Sequence, residues 1–251
     1  MKFVKMHGAG NDFVMLDWRG GISITKEHIR AIANRPSGIG CEGVIAVVDC
    51  PRNDFAMRFF NPDGSEAELC GNGARCVAAF ARRIGAVASD VMRFSTLAGD
   101  IDAEIINDRE VKISMPPLKA MRGNFINSGV PHYVVACKDI EKIDVASEGK
   151  RLRWSEEFAP GGTNVDFVEI RSSSSLRIRT YERGVEAETF ACGTGAVASA
   201  AIGVARYAMH FPVEVETARK DKLIVDGSFD GAVFSGVSLT GPVEFVFEGE
   251  I

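Results

Sequence analysis

The chain has 251 residues, 46% of them hydrophobic and 25% charged, the balance of a globular protein that buries a full core rather than of a disordered one. A formal net charge of -5 and a sequence pI near 5.5 argue against a nucleic-acid footprint, which gathers Lys and Arg into a basic balance, and leave small-molecule chemistry as the expectation. Lys2 and Lys5 are followed by no apolar signal-like run, and no stretch of about 18 uninterrupted apolar residues occurs, so a cytoplasmic protein without a membrane partner is expected.

Short β-rich runs bounded by Gly, Asn, Asp or Pro come first along the chain: Phe3 to Met6, Phe13 to Asp17, Val44 to Val48 and Ala56 to Phe60. An Ala- and Arg-rich segment from about Gly73 to Ile84 reads as a helix. Strands resume at Val91 to Ser95, Asp102 to Ile106 and Val111 to Met115, and the pair Pro116 and Pro117 then marks a join. Beyond it the rhythm repeats with Tyr133 to Ala136, Phe167 to Ile170 and Leu176 to Tyr181. A second helix from about Gly195 to Met209 is nearly all Ala, Val, Ile and Gly, and such an apolar helix is expected to be buried along the axis of its half. Val213 to Thr217, Lys222 to Val225, Ala232 to Ser235 and Val243 to Phe247 complete the strands. The fold class is therefore α+β in two halves, 1–116 and 117–251, each carrying one long helix.

The halves echo one another in sequence. Cys70-Gly71-Asn72-Gly73-Ala74 and Cys192-Gly193-Thr194-Gly195-Ala196 stand 122 positions apart, with Ala78-Ala79 and Ala200-Ala201 in register beyond. Upstream, Arg58-Phe59-Phe60-Asn61 lines up with Arg179-Thr180-Tyr181-Glu182, and Glu66-Ala67-Glu68 with Glu186-Ala187-Glu188.

Six cysteines without a secretory signal suggest reduced thiols rather than a disulfide framework, and Cys70 and Cys76, six apart, lack the CxxC spacing of a zinc site, so no metal is expected. Cys41, Cys50, Cys76 and Cys137 read as small buried hydrophobes. Cys70 and Cys192 differ because each directly precedes a helix start, where unpaired N–H groups and the positive end of the dipole favour an anion. The dipole is worth about 0.3–1 kcal/mol when exposed and up to ~2 when partly buried, so a thiol pKa is expected to fall by roughly one unit, toward the range useful to a base. The flanking glycines let backbone N–H groups close around a carboxylate. Twin thiols at twin helix starts suit proton removal on one face of a carbon and delivery on the other; a thiol redox pair and a plain binding protein stay open as alternatives at this point.

The residues around these cysteines carry a family resemblance. Asn61 through Cys76 (NPDGSEAELCGNGARC), Glu182-Arg183-Gly184 followed by Ala191 through Ala196 (ACGTGA), and Lys5 through Phe13 (KMHGAGNDF) resemble the three signatures of the diaminopimelate epimerases. The resemblance implies two similar halves, each a barrel-like sheet around a central helix, with an active site in the cleft between them. It implies a cofactor-independent exchange of LL- and meso-diaminopimelate, on the route to lysine and to peptidoglycan, with Cys70 and Cys192 as the two proton-transfer groups. It further implies that His132 and Glu182 support the thiols, and that N–H groups of Gly71, Asn72, Gly193 and Thr194 hold the reacting carboxylate. Asn11, Asn61, Asn164, Glu182 and Arg183 would then contact the distal end, and a homodimer is expected.

The chain departs from the family pattern at Val130, where many members have Asn, at Glu42, where Asp is common, and by one extra residue within Val185 to Thr189. These bear on the substrate, and a related epimerase of another amino acid is the main alternative; the proline racemase-like group typically has His where this chain has Asn72.

Overall fold

The computed structural model describes residues 1–21 and 24–251. The chain forms two compact units, Met1–Ile113 with Gly241–Ile251, and Ser114–Thr240.

The first unit begins with a hairpin of β1 (Lys2–Gly8) and β2 (Asn11–Asp17). Its two-residue loop puts both Ala9 and Gly10 at positive φ (51° and 84°), as a primed turn requires, and this sets Asn11 at the head of β2. Helix α1 (Lys26–Ala33) crosses over to β3 (Gly43–Val48), which pairs parallel to β2 with Phe13 opposite Gly43. β4 (Phe55–Phe60), the short β5 (Glu66–Ala67) and helix α2 (Gly71–Arg83) follow, then β6 (Val91–Thr96), parallel to β4, and the antiparallel β7 (Gly99–Asn107) and β8 (Glu110–Ser114). Helix α2 lies against β1, β2, β3, β4 and β7, and every residue from Gly71 to Ala81 is buried. On the other sheet face, α1 covers a core of Phe3, Leu16, Trp18, Val44 and Phe60 with Ile29 and Ile32.

The second unit repeats this plan. β9 (Lys119–Arg122), β10 (Phe125–Asn127) and β11 (Pro131–Ala136) lead through α3 (Val145–Arg153) to β12 (Asn164–Ser172), parallel to β11 with His132 opposite Asn164. β13 (Ser175–Glu182) and β14 (Ala187–Thr189) precede α4 (Gly193–Arg206), and β15 (Val213–Glu216), parallel to β13, runs into β16 (Lys222–Phe229) and β17 (Phe234–Pro242). Helix α4 is buried from Gly195 to Gly203 against β10 to β13, β15 and β16, as its apolar surface demands.

Several expectations need adjustment. Both long helices start two residues earlier than their periodicity suggests, because Gly71 and Gly193 already have helical pairing behind the cysteines. The run Ala232 to Ser235 begins as a turn, with the Asp230 carboxylate accepting from the Ala232 and Val233 N–H groups, and the strand starts only at Phe234. The echo of Glu66 is Glu188 rather than Glu186: Arg58 grips Glu66 and Arg179 grips Glu188 through matching two-point contacts at 2.7–2.9 Å. Finally, β18 (Glu244–Glu250) pairs antiparallel with β1, so the end of the chain lies in the first unit, beyond the single join expected at Pro116 and Pro117.

Candidate active site

Cys70 and Cys192 are each the N-cap of a buried helix, in extended backbone conformation (φ -129°, ψ 120° and φ -116°, ψ 109°). Each cysteine carbonyl accepts the first intrahelical bond, from Ala74 at 2.8 Å and Ala196 at 2.9 Å. In both turns the first N–H groups of the helix have no backbone acceptor within the helix, and the thiol stands beside them; the Cys192 sulfur accepts the Gly195 N–H.

Around Cys70, the Asn11 amide Nδ2 donates to Sγ at 3.8 Å, and the buried Asn11 Oδ1 has no partner among the described residues. Asn72 is buried, and its side chain is held from within: Arg75, wholly buried, donates to Asn72 Oδ1 at 2.8 Å and to the Gly71 carbonyl at 3.3 Å. Arg75 was not singled out from sequence, although its place one turn beyond a glycine-rich helix start signals a brace for that turn. Asn61 heads the loop before this helix, its amide donating to Ser65 Oγ at 3.0 Å and its backbone N–H to the Ser65 carbonyl at 2.8 Å.

Around Cys192 a chain of polar side chains runs back into the core. Sγ lies 3.4 Å from Thr194 Oγ1, Thr194 Oγ1 lies 2.9 Å from His132 Nε2, and His132 Nδ1 lies 2.7 Å from Asp166 Oδ2. Thr180 Oγ1 donates to the other oxygen of Asp166 at 2.7 Å, and both His132 and Asp166 are wholly buried. Asn164 Nδ2 donates to the Pro131 carbonyl at 3.0 Å while its Oδ1 accepts the Arg183 backbone N–H at 2.7 Å, so Asn164 fixes the segment that carries Arg183. The Arg183 guanidinium itself has no ion-pair partner among the described residues.

The expected drop in thiol acidity range does not hold at Cys192. Burial pushes its pKa well above the usual value, and the charges of Glu182 and Asp166 push the same way, against the bonds from Thr194 and the Gly195 N–H. Desolvation outweighs the helix dipole here because the dipole contributes at most ~2 kcal/mol, whereas burial of an anion shifts a pKa by up to several units. The Glu182 carboxyl is also raised, first by burial and further by Asp166, with Thr189 and His132 opposing. Of the other cysteines, Cys41 and Cys76 are buried as expected, while Cys50 and Cys137 are only half-buried. Among the described residues no group of three or more His, Cys, Asp or Glu is placed to hold a metal ion.

Asp166 is the functional-looking residue that sequence reading missed. It sits in an apolar strand run, and only the parallel pairing of β11 with β12 brings it against His132.

The fold is shared with several solved structures. The phenazine biosynthesis protein of the PhzF family from Bacillus anthracis matches with TM-score 0.74 at 16% identity, covering 100% of this chain and 98% of that one. A hydroxyproline epimerase from Agrobacterium vitis matches with TM-score 0.73 at 16% identity, covering 100% of this chain and 90% of that one. The family is more specific: the family model described as diaminopimelate epimerase matches residues 3–120 and 124–246. The diaminopimelate epimerase of Aquifex aeolicus is 43% identical over 100% of this chain and 98% of its own length, and that of Flavobacterium psychrophilum is 34% identical over 100% of both. The chain belongs to the diaminopimelate epimerase family.

Proposed function

We propose that this protein interconverts LL- and meso-diaminopimelate by cofactor-independent transfer of the α-proton between two thiols, Cys70 and Cys192, in the cytoplasmic supply of lysine and peptidoglycan precursors, and that it works as a homodimer. The observation that carries this reading is the pair of N-cap thiols on two buried helices within a chain that matches the family along nearly its whole length. One cysteine, as thiolate, takes the α-proton, and the thiol of the other returns a proton to the opposite face. Inversion follows from that order of events.

The carbanion-like intermediate needs its carboxylate stabilised by fixed donors. The first N–H groups of α2 and α4, at Gly71, Asn72, Gly193 and Thr194, are of the right kind, since helix starts present unpaired donors and a positive dipole end to an anion. Arg183, fixed through Asn164, suits a bidentate grip on the distal carboxylate, and Glu182 suits an ammonium. Asn11 and Asn61 complete the polar contacts, and His132 with Glu182 supports the thiols.

The test is α-hydrogen exchange in deuterated water. Diaminopimelate should gain deuterium as it inverts, and Cys70→Ser and Cys192→Ser should each slow inversion by orders of magnitude; full activity in either variant would sink the two-base reading. A panel of other amino acids addresses the second reading, which Val130 favours by supplying an apolar side chain where many members have an amide. Exchange of another amino acid in preference to diaminopimelate would select it.

A further inference from the structure

The two thiol turns are equivalent in topology but unequal in what stands behind them. In the first unit Phe13 pairs with Gly43 across parallel strands, and in the second His132 pairs with Asn164 in the same register. Two residues further along each second strand stand Ile45 and Asp166. The helices report the same correspondence independently: a Cβ built on Gly73 would meet Ile45 Cδ1 at 2.6 Å, and one built on Gly195 would meet Asp166 Oδ1 at 2.6 Å. Behind Cys70, therefore, lie the apolar Phe13 and Ile45; behind Cys192 lie His132 and Asp166, all four buried. Thr194, with its hydroxyl, stands where the first turn has Asn72.

We propose that Thr194, His132 and Asp166 form a proton relay that serves Cys192 alone, with Thr194 carrying the proton between thiol and imidazole and Asp166 acting as the positioning residue for His132. The inference rests on Cys192 being a proton-transfer group.

The hydrogen-bond directions follow from the partners. Thr180 donates to Asp166 Oδ1, and an ionised Asp166 accepts at Oδ2 from His132 Nδ1–H, which leaves the Nε2 lone pair facing the Thr194 hydroxyl. Thr194 Oγ1 then has a lone pair for the Cys192 S–H. In the forward step the S–H bond breaks as the Thr194 oxygen gains that proton, and the Thr194 O–H bond breaks as Nε2 gains its proton. The products are a thiolate, an intact hydroxyl and an imidazolium held by Asp166, with the charge of the group unchanged. The reverse step restores the thiol.

The surroundings give this relay a purpose. Cys192 is faced by Glu182 from β13, Asp166 from β12 and Thr194 from its own helix, with His132 from β11 beyond Thr194, and burial and the two carboxylates all oppose a lone thiolate. Moving the proton only as far as His132 leaves a compensating positive charge inside the cluster. In the positions equivalent to His132 and Asp166 the first unit has Phe13 and Ile45, neither of which can take a proton.

The decisive measurement is site-resolved alkylation with iodoacetamide across pH, reading Cys192 and Cys70 separately by mass spectrometry in the whole protein. Thr194→Val keeps the backbone N–H and removes the hydroxyl; Cys192 should then alkylate about tenfold more slowly near neutral pH, the equivalent of one pH unit in its profile, with Cys70 unchanged. Thr194→Ser should restore the wild-type profile. Equal slowing of both thiols, an unmoved Cys192, or failure of Ser to rescue would overturn the relay. Asp166→Asn separates positioning from simple repulsion: loss of a nearby negative charge alone would quicken Cys192 alkylation, whereas loss of imidazolium support slows it. Unchanged or faster labelling would overturn the part given to Asp166. Because labelling needs no substrate, absence of deuterium exchange from diaminopimelate would count against the proposed activity while leaving this result to be read on its own.

Discussion

A Cβ on Gly195 would stand 2.6 Å from Oδ1 of Asp166. That carboxylate has no room to yield, because Thr180 holds the same oxygen and His132 holds the other, both at 2.7 Å. Gly195→Ala should therefore destabilise the protein by about 1–3 kcal/mol, the usual cost of overpacking, and disturb His132 as well. Gly73→Ala crowds the terminal methyl of Ile45, which has alternative rotamers, and meets Met57 Cε and Cys70 Cβ at ordinary contact distance, so it should cost less. Urea unfolding of the two variants compares them directly; a Gly73 variant that is the less stable of the two would contradict this account.

Cys76 should make the protein sensitive to alkali. It is wholly buried, and burial pushes its thiol from 9.0 up to about 12, with Arg75 opposing and Cys70 adding to the rise. A pKa higher in the folded state gives stability that is complete below the unfolded value and lost as pH climbs through the folded one: between about 9 and 12 the unfolded chain releases a proton that the folded chain keeps. Three pH units at about 1.4 kcal/mol each put the loss on the order of 4 kcal/mol. Cys76→Ala should begin somewhat less stable at pH 8 and decline less steeply above pH 9. Parallel stability curves for variant and wild type would reject the assignment.

The cysteine turns and their helices were legible because they are local: a small-residue helix start declares itself within five residues, and the apolar surface of α4 declares its burial. Helices α1 and α3 were not read. The capping box of α1 uses His28 where the sequence pattern expects Glu or Gln, and α3 is largely polar and carries Gly149, whose site a Cβ could not share with Tyr181 at 2.4 Å. The pairing of β18 with β1 joins residues some 240 positions apart, beyond any local pattern. Asp166 escaped for a related reason, since alternation along β12 says nothing about which residue of β11 stands beside it.

Lys5 and Asp12 form the ion pair that steadies the N-terminal signature. Lys5 is buried, meets Asp12 Oδ2 at 2.6 Å and also donates to the Gly40 carbonyl, while Arg35 takes Asp12 Oδ1 at 2.7 Å. Burial raises the Asp12 carboxyl, but the bonds and charges of Arg35 and Lys5 outweigh it and hold the pKa below the usual value. A depressed carboxyl gives stability present above its unfolded pKa and lost as pH falls through the folded one, so this contribution should start to fall below about pH 4 and vanish in stronger acid. Asp12→Asn leaves the Lys5 ammonium buried without its counter-ion and should cost about 3–5 kcal/mol. Lys5→Met added to it should recover most of that loss in a double-mutant cycle; independent, additive losses would show that the pair is not coupled.

Glu182 should act on Cys192 in the direction opposite to Thr194. Its charge is the largest cause after burial of the high Cys192 pKa, and its own carboxyl is raised by burial, so its influence is felt only once pH exceeds that raised value. Above that point Glu182→Gln removes a negative charge from beside the thiol at nearly constant shape, and Cys192 should alkylate at lower pH than in the wild type. Inversion of diaminopimelate should nevertheless slow, because on the proposed mechanism the same carboxylate supports a thiol and receives the distal ammonium. The two readouts therefore part company: a more acidic Cys192 in a slower enzyme. A Cys192 profile that stays in place or moves to higher pH would mean that Glu182 is protonated or turned away from the sulfur across the working range, leaving burial and Asp166 as the causes of its raised pKa.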